Sequence, residues 1–173
     1  MRRPIIAITV LALSASLTAC GSGRDAATRN ITQVTDGVEK TISTNDSNIK
    51  IVNFLLVATE DGSAVVVGSI INRGVVDDEL LGIAVGQSPA ALTGLTQLKQ
   101  NQPIRFEGES ANAKAVFAGV GAKAGRHVTI TLGFARAGLV TLEVIIRDKR
   151  DTYAGVTSGL TLVTAETATA PAA

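Results

Sequence analysis

An all-β fold, a sandwich of about seven or eight strands, is what this 173-residue sequence predicts. Three observations carry the expectation. Two neighbouring segments, His127 to Phe134 and Leu139 to Arg147, alternate apolar and polar residues with a period of two, which puts one face in a core and the other in water. Short runs rich in β-branched residues recur, separated by Gly, Asn, Asp and Ser. No window sustains an apolar stripe of helical period over three turns, and no repeat of 20–50 residues is present.

The elements follow in order. Asn48 to Thr59 (NIKIVNFLLVAT) is a β-branched and aromatic run. Glu60-Asp61-Gly62-Ser63 supplies an Asp-Gly pair suited to the left-handed positions of a hairpin turn, and Ala64 to Ile71 returns as its partner, closed by Asn72-Arg73-Gly74. Leu80 to Val85 is a further short strand. Pro103 to Glu107 places Ile104 and Phe106 on one side, Arg105 and Glu107 on the other, and Lys114 to Phe117 is another candidate. In the last clear pair Val128, Ile130, Leu132 and Phe134 face Val140, Leu142, Val144 and Ile146 across Ala135-Arg136-Ala137-Gly138. Ile145 breaks the alternation. Tyr153 to Val156 and Leu160 to Val163 are read as a closing hairpin around Ser158-Gly159.

The ends read differently. Arg2 and Arg3 precede a thirteen-residue apolar stretch from Ile5 to Leu17, too short for a bilayer span of about 20 residues and matched to the core of an export signal. Leu17-Thr18-Ala19-Cys20-Gly21 follows and resembles the lipobox of bacterial lipoproteins. The resemblance implies cleavage between Ala19 and Cys20, a diacylglycerol on the Cys20 sulfur and acylation of the new amine; two or more chains suffice for stable anchoring. Arg2-Arg3 also raises twin-arginine export, which Pro4-Ile5 does not continue. The domain plan is therefore a signal peptide at 1–19, a lipidated tether at 20–47, a sandwich at 48–163 and a disordered Ala/Thr/Pro tail at 164–173. An early strand within Ile31 to Ile42 is the alternative for part of the tether.

Composition excludes several functions. One Cys allows no internal disulfide and no Cys-rich metal site. The net charge is +1, and −1 once residues 1–19 with Arg2 and Arg3 are gone, so no positive field draws in nucleic acid. Only 3% of residues are aromatic, which leaves little for a base- or sugar-stacking surface. A G-x-S-x-G element is missing, and Gly119-Val120-Gly121 and Gly21-Ser22-Gly23 do not continue into phosphate loops. His127, the only histidine, reads as a half-exposed strand-end residue, with a lone ligand or general base as the alternative. Asp77-Asp78-Glu79 is the densest acidic cluster and reads as a solvated turn, since Ca²⁺ needs about six to eight oxygens from a shaped loop. Arg147 with Lys149-Arg150 is a small basic surface. Asn53, Phe54 and Tyr153 are core or pocket-lining residues.

Ile70-Ile71-Asn72-Arg73-Gly74, Asp77 to Ile83 and the block Gly125 to Gly138 occur in an order that resembles actinobacterial lipoproteins related to the PCuAC periplasmic copper-chaperone family. The resemblance spans Asn48 to Arg147 and implies an immunoglobulin- or cupredoxin-like sandwich. It also implies Cu(I) binding through His and Met, soft-ion ligands that this chain lacks where they are expected. Ala90 to Leu95 (AALTGL) has no His, and Ala113 to Gly119 (AKAVFAG) has neither His nor Met; Met1 leaves with the signal. The functional expectation is a membrane-anchored, extracytoplasmic binding or interaction module without catalysis, cofactor or resident metal. Its partners are the membrane, through Cys20, and cell-envelope proteins. The alternative is accessory copper handling on a PCuAC-like scaffold, and a hydrolase using His127 stands third.

Overall fold

The structure, a computed structural model, describes residues 35–44 and 47–159. The expected signal peptide, Cys20, most of the expected tether, Leu160 to Val163 and the expected tail lie outside the described residues.

The fold is all-β. Among the described residues eleven strands run in chain order: β1 Val38–Thr44, β2 Ser47–Ala58, β3 Ala64–Asn72, β4 Asp78–Val85, β5 Ser88–Pro89, β6 Ala91–Gly94, β7 Gln97–Leu98, β8 Ile104–Phe106, β9 Ala113–Phe117, β10 His127–Phe134 and β11 Gly138–Asp148. The expected long strands are present within a residue or two. The count exceeds seven or eight because β5, β6 and β7 are two to four residues long, too short to show a period. Residues 38–44, read as tether, are strand β1, paired antiparallel with β2; the folded body therefore begins before Asn48. Tyr153 to Val156, expected as one arm of a closing hairpin, is not a strand, since a 3-10 turn at Asp151–Tyr153 leads into it; the other arm, Leu160 to Val163, lies outside the described residues.

The strands form one hydrogen-bonded sheet in the order β5-β4-β10-β11-β2-β3-β8-β9-β6, with β1 on β2 and β7 on β4. Its two extreme strands are separated in sequence by Ala90 alone, whose N–H donates to the Ile83 carbonyl. The sheet thus folds back on itself and is nearly closed.

Inside lies the main core, built on Phe54, Leu56, Ile70, Phe106, Phe117, Ile130, Leu132 and Ile146. Phe54 and Phe106 meet edge to face, centroids 5.9 Å apart, a geometry that favours the ring quadrupoles. Alternation holds in β10 and β11, where Leu132 opposes Val140 and Ile130 opposes Leu142. In β2, β3 and β9 both faces are buried, which explains their continuous apolar runs. Their outer face carries a second small core of Leu55, Val57, Val65 and Val116, covered by Tyr153 and Val156 from the segment after β11. Ile145 packs there too, so the residue that broke the alternation answers to this second core.

A bulge bends β2 at Asn53, where the register with β3 shifts between Val52 and Leu55. Asn53 has φ 49°, and its side-chain oxygen accepts from the Gly37 N–H at 2.8 Å. Gly68 opposite has φ 137°, and a Cβ there would lie 2.8 Å from the Asn53 carbonyl oxygen. Only glycine fits that approach.

Candidate functional site

The two segments singled out for missing copper ligands are adjacent strands. β6 pairs antiparallel with β9, Leu92 opposing Ala115 and Thr93 opposing Lys114. The fold therefore brings the two places together, but the core-facing side chains there are apolar: Ala113, Ala115 and Phe117 belong to the main core, with Ala90, Leu92 and Leu95 packed against it. The charged residue within this strand pair is itself a cation. Lys114 is 3% exposed, ion-paired to Glu107 at 3.0 Å and donating to the Thr157 hydroxyl at 3.1 Å. A buried ammonium and a row of apolar side chains do not fit a soft metal ion. Among the described residues no group of three or more His, Cys, Asp or Glu side chains could hold a metal ion.

The acidic cluster is divided rather than solvated as a unit. Asp77 is exposed, Asp78 is buried and Glu79 half-buried. The Asp78 carboxylate accepts from its neighbour's N–H and from those of Arg136 and Ala137, at 2.8–3.0 Å. Glu79 accepts from Thr96. Asp78 therefore fastens the β10–β11 hairpin loop to the start of β4. Its lone pairs are committed to amides, which corrects the reading of a wholly solvated turn and leaves no oxygen cage.

Asn72 has a parallel duty. It is 1% exposed, donates to the Val76 and Leu98 carbonyls and accepts from the Gly74 N–H. The Ile70 to Gly74 motif is thus a loop-shaping element. Arg147 pairs with Asp36 and Arg150 with Asp148, so the basic surface near the end of β11 is largely matched by acids. Phe54 is core, and Tyr153 anchors the covering segment, its hydroxyl donating to Asp36. Burial, then the Asp36 charge, pushes the Tyr153 phenol above its ordinary value.

A cavity of about 210 Å³ opens at one end of the sandwich. Its walls come from strands on both sides of the main core: Leu56 in β2, Ala64 in β3, Phe117 in β9 and Ile146 in β11. The loop after β9, with Gly119 and Gly121 in left-handed backbone, runs along its edge and brings Lys123 and Arg126 to the mouth. His127, the first residue of β10, joins them. All three cations or potential cations are exposed, and none makes an ion pair or side-chain hydrogen bond among the described residues. Among the described residues His127 makes no side-chain hydrogen bond to a carboxylate or a hydroxyl, the contacts that a nucleophile–base pair is built from. The sequence reading found His127 and missed its companions Lys123 and Arg126. The signal was present as two cations in a small-residue loop, AGVGAKAGR, but its tertiary neighbours are strands distant in sequence.

No family profile matches the chain, and no curated protein matches it by sequence. Solved structures do match in fold. The apo PCuAC domain from PmoF1 superposes with a TM-score of 0.51 at 23% identity, covering 63% of this chain and 99% of that one. The copper-bound PCuAC domain from PmoF2 gives 0.51 at 16% identity, covering 63% and 98%. The apo PmoF2 domain gives 0.53 at 16% identity, covering 65% and 98%. At these identities the likeness is one of fold.

Proposed function

We propose that this chain is a non-catalytic accessory module of extracytoplasmic copper handling, tethered to the membrane through lipidated Cys20 and acting beside a partner that supplies soft ligands. The observation that supports it is the likeness of the strand-built body to nearly the whole length of PCuAC domains, one of them copper-bound. The partner is required by chemistry: β6 and β9 carry no sulfur or imidazole donors, and the buried Lys114 beside them disfavours a second cation. Copper is here a cargo that passes near the chain, and no coordination step is assigned to its own residues.

Equilibrium dialysis of the mature chain against Cu(I), Cu(II), Zn²⁺ and Ca²⁺ tests this, run alone and with a copper-loaded PCuAC domain. The expected result is copper retention with the second protein present, above what that protein holds by itself. No ion held by the chain alone, and no copper beyond what the PCuAC domain holds by itself, removes the reading. What then stands is a membrane-anchored binding module without a metal role, which the open cavity independently favours. The tether is tested separately, by detergent partitioning of wild type against Cys20→Ala. Equal partitioning of the two processed chains would show that Cys20 carries no anchor.

A further inference from the structure

The cavity at the end of the sandwich has two chemistries in one place. Its depth is apolar, formed by Leu56, Phe117 and Val128 among others, and no carboxylate lines it. Its mouth holds Lys123, Arg126 and His127, exposed and without acid partners among the described residues. Some cations elsewhere have acid partners, Lys114 with Glu107, Lys50 with Glu39 and Arg147 with Asp36. The three at the mouth have none among the described residues and are gathered around one apolar opening, which is complementary to a ligand with an anionic head and a hydrocarbon body.

We infer that this cavity binds a singly charged aliphatic carboxylate, its chain among Leu56, Phe117 and Val128 and its head between Lys123, Arg126 and His127. Size favours a short chain. At about 210 Å³ the cavity is smaller than the roughly 300–1,000 Å³ of drug-sized ligand pockets, which suits one short aliphatic chain of the octanoate class. A two-chain lipid does not fit. Arg126 can grip both carboxylate oxygens through its planar fork, while Lys123 acts as a point charge. The inference is independent of the copper reading, because its residues lie on different strands from the β6–β9 pair except at Phe117.

The test is a titration of the isotopically labelled chain with octanoate, hexanoate and octylammonium, followed by amide chemical shifts. Saturable shifts are expected at Leu56, Phe117 and residues 120–128. Octanoate should bind more tightly than hexanoate by roughly fifteenfold, about fourfold per buried methylene, and octylammonium should bind at least tenfold more weakly than octanoate. Lys123→Gln with Arg126→Gln should weaken octanoate at least tenfold without changing the unbound spectrum beyond the loop. Ala122→Phe, which fills the cavity from the loop, should abolish binding in a chain that is still folded by its spectrum. Equal binding of octanoate and octylammonium, shifts centred elsewhere, no saturable shifts at all, or undiminished binding by folded Ala122→Phe overturns the inference.

Discussion

Two regions of the sandwich treat charge and apolar surface in opposite ways. On the outer face of β2, β3 and β9, the apolar groups are roofed by Tyr153 and Val156, and the buried Lys114 is paired with Glu107 and bonded to Thr157. At the cavity end the core is left open, and Lys123, Arg126 and His127 stand unpaired around it. The contrast separates what holds the fold together from what is free to meet a ligand. A charge buried among its own partners is committed to the fold, because removing one partner strands the other in a low dielectric. A charge at an open mouth costs folding little and can be met by something from outside.

The sharpest way to break that contrast is at Lys114. Lys114→Ala strands Glu107, which is 14% exposed in its side chain, and should lower unfolding stability by about 3–5 kcal/mol. The double change Lys114→Met with Glu107→Leu should recover most of the loss; both are read from urea denaturation midpoints. A double variant as unstable as the single would mean that the pair contributes more than its own desolvation.

Asp78→Ala comes next. It leaves the Arg136 and Ala137 amides without their acceptor and should cost about 2–3 kcal/mol. Amide hydrogen exchange should quicken locally in residues 135–138 ahead of the rest of β10 and β11. Uniform loss of protection would place the role of Asp78 outside the hairpin.

Asp61 sharpens the comparison through pH. It sits in the β2–β3 turn, where the Thr59 hydroxyl above all, then Ser158 and the Ser63 amide, hold its carboxyl far below the usual carboxylate range. A depressed folded-state pKa means stability that is present above the unfolded value of 3.8 and lost as pH falls below it. Wild type and Asp61→Asn should therefore differ most at neutral pH, begin to converge below about pH 4 and go on converging to the lowest pH at which the chain stays folded. A difference constant across that range would show that the charge of Asp61 does not contribute.

The smallest effect is expected at the open end. Lys123→Gln with Arg126→Gln should leave stability within about 0.5 kcal/mol of wild type in thermal or urea unfolding. A larger loss would make these cations structural and erase the difference between the two regions.

The strands with regular burial were legible in advance. Val128 to Phe134 and Val140 to Ile146 alternate because water takes one face and the core the other, and that is written residue by residue. β5, β6 and β7 were not legible, since two to four residues contain no period. β1 was hidden by its polar residues: in VEKTIST only Ile42 is buried. The site was legible only in fragments. The segments Ala90 to Leu95 and Ala113 to Gly119 were named separately, and their pairing depends on a ladder that local pattern does not encode.

By itself the amino-acid order determined the fold class, the two clearest hairpins and the poverty of soft metal ligands, because composition and period-two patterning are local properties. Tertiary structure alone decided that Ile145 faces a second core, that Asp78 serves backbone amides, and that Lys123, Arg126 and His127 converge on an apolar opening. Each of those depends on contacts between residues far apart along the chain, and only the closure of the sheet brings them together.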